Sequence, residues 1–254
     1  MVALTINAMK WIFLFAILAG VTASAEPVAF QSAERQTALL ELYTSEGCSS
    51  CPPAEAWLSK LKNAPGLWSE FVPVAFHVDY WNNLGWRDKL SSERFSDRQR
   101  SYAQAWSAEN IYTPEFVLNG LEWKNWLGFR GAPSASENKV GILRVNSEDG
   151  RNLQVTFNPT DNKGVTDYEA TVAVLVSGLN SEVTAGENSG RVLNHDFAVL
   201  SLVTRPLISQ TNGFQGTVVI DTNSKGVAGR WALAAWVTHS GELKPLQSTG
   251  GWLP

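Results

Sequence analysis

The chain carries two cysteines, Cys48 and Cys51, with Ser49 and Ser50 between them. A C-x-x-C pair can be a structural staple, a zinc half-site or a thiol–disulfide exchange centre. The staple is the weakest reason for the pair to exist, because so short a loop removes little entropy from the unfolded chain. A structural zinc needs four ligands, and this chain has no second cysteine pair and only His77, His195 and His239 to add. Exchange chemistry is favoured by what surrounds the pair. Leu39-Leu40-Glu41-Leu42-Tyr43-Thr44 reads as a strand, Ser45-Glu46-Gly47 breaks it, and beyond Pro52-Pro53 the spacing of Trp57, Leu58 and Leu61 is helical. Proline suits the first turn of a helix, so the helix is expected to start at Pro52 or Pro53, with both thiols just outside it and Cys48 the more exposed. Unpaired N–H groups and the positive end of a helix lower a thiol pKa. Glu46, two residues before Cys48, works in the opposite sense.

Further candidates lie downstream. In the segment 111–120, Thr113-Pro114 opens a strand that returns through an Asn119-Gly120 turn to Leu121-Glu122-Trp123. The thioredoxin fold puts a cis-proline at this place, so likeness to that fold implies that Pro114 shapes a groove beside the cysteines and that Thr113 binds substrate backbone; a proline at a strand start has a purely structural explanation too. In Phe76-His77-Val78-Asp79-Tyr80-Trp81, alternation puts His77, Asp79 and Trp81 on one face. Asp79 is a candidate proton acceptor and His77 a candidate thiolate stabiliser; the ordinary alternatives are a satisfied core histidine and a loop cap. Trp81 and Trp86, with Arg87, are candidates for a substrate-facing lip, although aromatic residues more often serve the core.

These positions imply the elements that must hold them. Segment 71–80 reads as a strand, 91–107 as a helix with Phe95, Tyr102, Ala105 and Trp106 inward, and 138–145 as a last helix. The expectation is an α/β, thioredoxin-like domain of order βαβαββα over 36–146. The runs 153–157, 167–177, 192–207, 214–221 and 230–239 are β-branched or alternating and separated by turn residues, so a smaller all-β, sandwich-like domain is expected over 153–254. His195 and His239 sit singly on these strands with no ligand cluster beside them and read as structural or surface residues; no metal site is expected. Residues 187–191 read as an inter-strand turn touching the first domain.

Composition sets the context. Twenty Lys and Arg against 24 Asp and Glu give a net charge of -4 over 254 residues, which leaves no positive excess to grip nucleic acid. Lys10, an apolar run over 11–21 and then Thr22-Ala23-Ser24-Ala25 form the pattern of a cleavable signal peptide, 1–25. That run is shorter than the roughly 20 residues of a membrane span, so no stable membrane anchor is expected after cleavage. A periplasmic or secreted location follows, where cysteines can pair.

The run 41–55, the segment 76–88 and Tyr112-Thr113-Pro114 resemble the bacterial secreted, thioredoxin-like proteins of domain-of-unknown-function family 1223, with a weaker likeness at 187–195. The resemblance implies an exported thioredoxin-like protein with a C-x-x-C pair; it implies no known reaction. Two features depart from ordinary thioredoxins: Gly47 stands where Trp is usual, and the intervening dipeptide is Ser49-Ser50. The leading expectation is a thiol–disulfide oxidoreductase without any cofactor beyond the Cys48–Cys51 disulfide, acting on client proteins or a periplasmic redox partner. Alternatives are a non-enzymatic binding or assembly module with a structural disulfide, and a copper-handling protein using both cysteines and His77.

Overall fold

The structure, a computed structural model, describes residues 27–161, 167–221 and 227–254; the expected signal peptide, 1–25, lies outside the described residues. The first half runs β1 (Val28–Gln31), β2 (Ala38–Thr44), α1 (Pro52–Lys60), β3 (Phe71–His77), α2 (Glu93–Ala105), β4 (Glu115–Leu118) and β5 (Leu121–Glu122). The second half runs β6 (Gly141–Ser147), β7 (Asn152–Pro159), β8 (Tyr168–Ser177), β9 (Leu179–Glu182), β10 (Val192–His195), β11 (Ala198–Gln210), β12 (Gly213–Val219), β13 (Arg230–His239) and β14 (Gln247–Trp252).

All seven residues of β2 and of β3 are buried, as strands require when both sheet faces are covered. Alternation divides β2 between two cores. Leu40 and Leu42 pack with Leu58 and Leu61 toward α1, while Leu39 and Tyr43 pack with Phe95 and Tyr102 toward α2. Strands β2 and β3 are parallel, and β4 lies antiparallel on the other edge of β2. Pro52 and Pro53 start α1 with Cys51 as its N-cap residue, so the cysteines do stand just outside the helix.

The expected fold class is wrong in two respects. Segment 138–145 is no helix: β6 occupies most of it, because Leu143 and Val145 point inward while Ile142 and Arg144 do not, a period of two. Nor is there a thioredoxin-like βαβαββα domain followed by a separate all-β one. Strand β11 is shared: it pairs in parallel with β3, where Ala75 N donates to Phe197 O at 2.8 Å, and antiparallel with β8 and β12. The result is one mixed sheet of twelve strands, with β9 and β10 as a separate two-stranded ribbon. The physical reason lies in β8 and β13, which are buried almost throughout. Ala173, Leu175, Ala234 and Trp236 join the α2-side core with Val72 and Phe76, and Val172, Val174, Leu233 and Ala235 pack against β6, β7 and β12 through Leu143, Val155 and Val218. Neither face of these strands is free, so the second half cannot close on itself.

Within α2, Phe95 and Tyr102 face inward as expected and Trp106 is half-buried, but Ala105 is exposed and Ala103 takes the inner position. The strand expected over 192–207 breaks after His195, where Phe197 adopts a φ of 57°. That break separates the ribbon from the main sheet and turns His195 toward α1.

Candidate functional site

Cys48 and Cys51 form a disulfide at the N-terminus of α1. Cys48 Sγ lies 3.3 Å from Ser50 Oγ and 3.7 Å from the carbonyl oxygen of Thr113, the residue before cis-Pro114. Thr113 is held in turn by Trp81, whose Nε1 donates to its Oγ1 at 2.9 Å. Two sequence expectations change here. Cys48 is not the more exposed sulfur, since both cysteines are 0% exposed. The helix end also offers fewer donors than expected: Pro52 and Pro53 carry no N–H, and Ala54 N–H is taken by Cys51 O at 2.9 Å. What remains to favour a thiolate is chiefly the dipole of α1.

The turn that carries the disulfide is held from the far half of the chain. Residues 183–191 join β9 to β10 and fold back on themselves, with Gly190 N–H donating to Val183 O at 2.8 Å. From this strap the fully buried Asn188 donates through Nδ2 to two backbone carbonyls, Glu46 O and Cys48 O, each at 2.9 Å. Arg191 holds the amide by donating to Asn188 Oδ1 at 2.7 Å, and Glu187 accepts Ser49 N–H at 3.1 Å. The strap crosses the loop after β3 at Gly186, where a Cβ would stand 3.2 Å from the Trp86 side chain; Gly186 has a φ of 75°, which glycine adopts at no steric cost. The turn expected over 187–191 thus touches the C-x-x-C segment itself.

Beneath the turn lies a buried charged network. His195 Nδ1 meets Glu55 Oε2 at 2.5 Å, and its Nε2 stands 3.2 Å from Glu46 Oε1, an ion-pair distance without hydrogen-bond alignment. Glu55 also accepts from Thr44 Oγ1 at 2.7 Å, and Glu46 accepts Trp86 Nε1–H at 2.6 Å. His77 Nδ1 meets Asp88 Oδ2 at 2.7 Å, and that oxygen accepts Glu46 N–H at 2.9 Å. The two imidazoles stand edge to face with centroids 5.0 Å apart. Burial alone would lower the His195 pKa, but bonding to Glu46 and Glu55 outweighs it and pushes it up to about 10. Burial likewise opposes and Asp88 likewise raises the pKa of His77. Glu46 and Asp88 go the other way: desolvation favours their neutral forms, and their histidine partners hold them below the usual carboxylate range.

The structure therefore gathers Cys48, Cys51, Thr113, Pro114 and Trp81 around one sulfur pair. Trp86 braces Glu46. His77 belongs to the charged network below, and Asp79 is turned to α2, accepting from Ser96 Oγ at 2.5 Å. Sequence reasoning missed His195, Glu55 and Asn188. His195 was read as isolated, yet Glu46, Glu55 and His77 surround it; the helical position of Glu55, one turn after Cys51, was the available signal. Asn188 gave none, since its role depends on a contact 140 residues away.

A disulfide at a helix start, its turn bonded to a strap and underlain by paired carboxylates and imidazoles, defines a β-rich protein with a buried two-cysteine centre. The chain belongs to the family described as protein of unknown function, DUF1223, whose model matches residues 39–238. No curated protein matches it in sequence. Among solved structures it is similar to a protein of Agrobacterium tumefaciens with 23% identity, a TM-score of 0.57, and coverage of 87% of this chain and 96% of that one. It is similar also to HBP35 of Porphyromonas gingivalis, with 14% identity, a TM-score of 0.56, and coverage of 87% and 76%. At these identities the likeness concerns the fold.

Proposed function

We propose that this is an exported protein, periplasmic or secreted, that exchanges disulfides with client proteins or with a redox partner through Cys48 and Cys51. The observation that carries the reading is the Cys48–Cys51 disulfide at the start of α1 with the Thr113 carbonyl against Cys48 Sγ. In the oxidising direction a client thiolate attacks Cys48 Sγ, and the S–S bonding pair departs on Cys51 Sγ. A second client thiolate then attacks the client sulfur of the mixed disulfide and releases Cys48. The client leaves with a disulfide, and the protein keeps two electrons and, after protonation, two thiols. Reduction of a client is the reverse. Both cysteines are buried, so attack requires the turn to open; in this reading the strap over 183–191, bonded to that turn, lifts with it, and Asn188 sets the cost.

The test is turnover of defined probes, oxidation of a reduced dithiol peptide and reduction of insulin. Activity in one direction is expected, lost in Cys48→Ala, with Cys51→Ala accumulating a mixed disulfide through Cys48. Full activity in Cys48→Ala, or no turnover in either direction, contradicts the reading. A second reading, a binding module whose disulfide locks the turn, draws on the complete burial of both cysteines; it predicts no turnover and a disulfide that resists glutathione.

A further inference from the structure

We propose that Glu55, His77 and His195 form a binding site for one divalent first-row cation of the zinc class, independent of the cysteines. One ligand atom from each of Glu55, His77 and His195 can be chosen so that all lie within 4.8 Å of one another, and all three residues are buried. Donors around a tetrahedral ion at about 2.0–2.2 Å stand roughly 3.4 Å apart, so small side-chain rotations bring these atoms to a common centre.

The independent observation is what the polar atoms lack. His77 Nε2 is fully buried with no hydrogen-bond partner among the described residues, and His195 Nε2 and Glu46 Oε1, 3.2 Å apart, are buried as an ion pair without hydrogen-bond alignment. Buried polar atoms are nearly always paired, so the unpartnered His77 nitrogen beside His195 and Glu55 calls for an explanation. Each histidine has a carboxylate at one ring nitrogen, Asp88 at His77 Nδ1 and Glu46 at His195 Nε2, which fixes the ring; His77 Nε2 and His195 Nδ1, the latter now against Glu55 Oε2, are the nitrogens an ion would take. The charge also fits. Three buried carboxylates, Glu46, Glu55 and Asp88, surround two imidazoles, so a dication with neutral histidines is as well matched as two imidazolium ions.

Two imidazoles with carboxylate oxygens are borderline donors that suit zinc, and the arrangement differs from the soft cysteine set of the copper alternative. A way in exists. A groove of about 450 Å³ between α1 and the β9–β10 ribbon is lined by Glu55, Lys62, Asn180, Leu193, Asn194 and Asp196, so Glu55 stands at its inner wall. A bound ion would join α1, β3 and β10, elements from both halves of the chain.

The experiment uses the whole mature protein with its disulfide intact, so that thiolates cannot compete. Protein refolded from urea with Zn²⁺, then gel-filtered, is expected to retain one zinc per chain by elemental analysis and to melt at least about 5 °C above the zinc-free protein. His77→Gln and His195→Gln are expected to lose the zinc, while His239→Gln, which stacks on Tyr168 far from the cluster in sequence, keeps it. Because a buried histidine variant can fail to fold, Glu55→Gln, which retains an oxygen for Thr44, is the second probe and is expected to bind zinc at least tenfold more weakly. Wild-type protein that retains less than about a tenth of an equivalent and melts unchanged overturns the proposal, as does zinc bound equally by wild type and Glu55→Gln.

Discussion

The strap bonded to the cysteine turn makes a quantitative prediction through Asn188. Its Nδ2 donates to Glu46 O and Cys48 O, each at 2.9 Å and out of contact with water. A buried hydrogen bond of this kind contributes about 0.5–1.5 kcal/mol net, so Asn188→Ala should lower the cost of lifting the strap by about 2 kcal/mol. With 1.36 kcal/mol per factor of ten, the open population rises about 30-fold. If opening is fast relative to attack, the rate at which dithiothreitol reduces Cys48–Cys51 rises by the same factor. Quenched alkylation followed by mass measurement gives this rate, and circular dichroism at the working temperature checks that the variant is folded. Glu187→Gln is the control. It weakens only an exposed contact to Ser49 N–H and should change the rate less than about fivefold. A folded Asn188→Ala protein reduced within twofold of the wild-type rate would refute the reasoning, because the sulfurs would then be reached without moving the strap.

Other perturbations have equally definite outcomes. Glu41 is fully buried on β2 and pairs in two bonds with Arg98, 2.7 and 3.1 Å, while accepting from Tyr102 at 2.6 Å; Glu41→Gln strands the guanidinium and should cost about 3–5 kcal/mol in urea unfolding, and a loss below about 1 kcal/mol would contradict this. Glu115, beside Pro114, has its pKa pushed up to about 7 by burial. As the pH rises from about 4.5, the unfolded carboxylate gives up its proton before the folded one does. Stability therefore falls up to about pH 7, by about 2 kcal/mol after allowance for solvent screening. Glu115→Gln should remove this slope, and an unchanged difference between pH 4.5 and 8 would count against it. Trp86→Phe deletes the 2.6 Å bond to Glu46 and should lower stability by about 1.5–3 kcal/mol, the range for hydrogen bonds to charged groups, as read from the urea midpoint.

Local features were legible in the sequence where chemistry and spacing coincide. Pro52-Pro53 located the start of α1, the run read as a strand over 71–80 located β3, which ends at His77, and Asn119-Gly120, with φ of 50° and 80°, located the turn between β4 and β5. The overall architecture was not legible from the same cues. The run Ala-Thr-Val-Ala-Val-Leu-Val over 170–176 is continuously apolar rather than alternating, which signals a strand buried on both faces; reading it as half of an independent sandwich missed that both sides needed partners. Segment 138–145 contains apolar residues compatible with either period, and Gly141 decides for the strand: its φ is 120° and a Cβ there would meet the backbone of Asn158 at 2.2 Å. At the site, the cysteines and the Thr113-Pro114 neighbour were apparent, because local motifs carry them. The strap was legible only as a turn over 187–191 touching the first domain, and the histidine network was not, because their decisive contacts join residues more than a hundred positions apart, such as Cys48 with Asn188 and Glu55 with His195.

The most direct test of the exchange reading is the reduction potential of the Cys48–Cys51 couple in the mature protein, equilibrated against glutathione and read by alkylation and mass. The account predicts a value between about -120 and -270 mV, the span of exchange proteins. A value below about -300 mV, where structural disulfides lie, would contradict it.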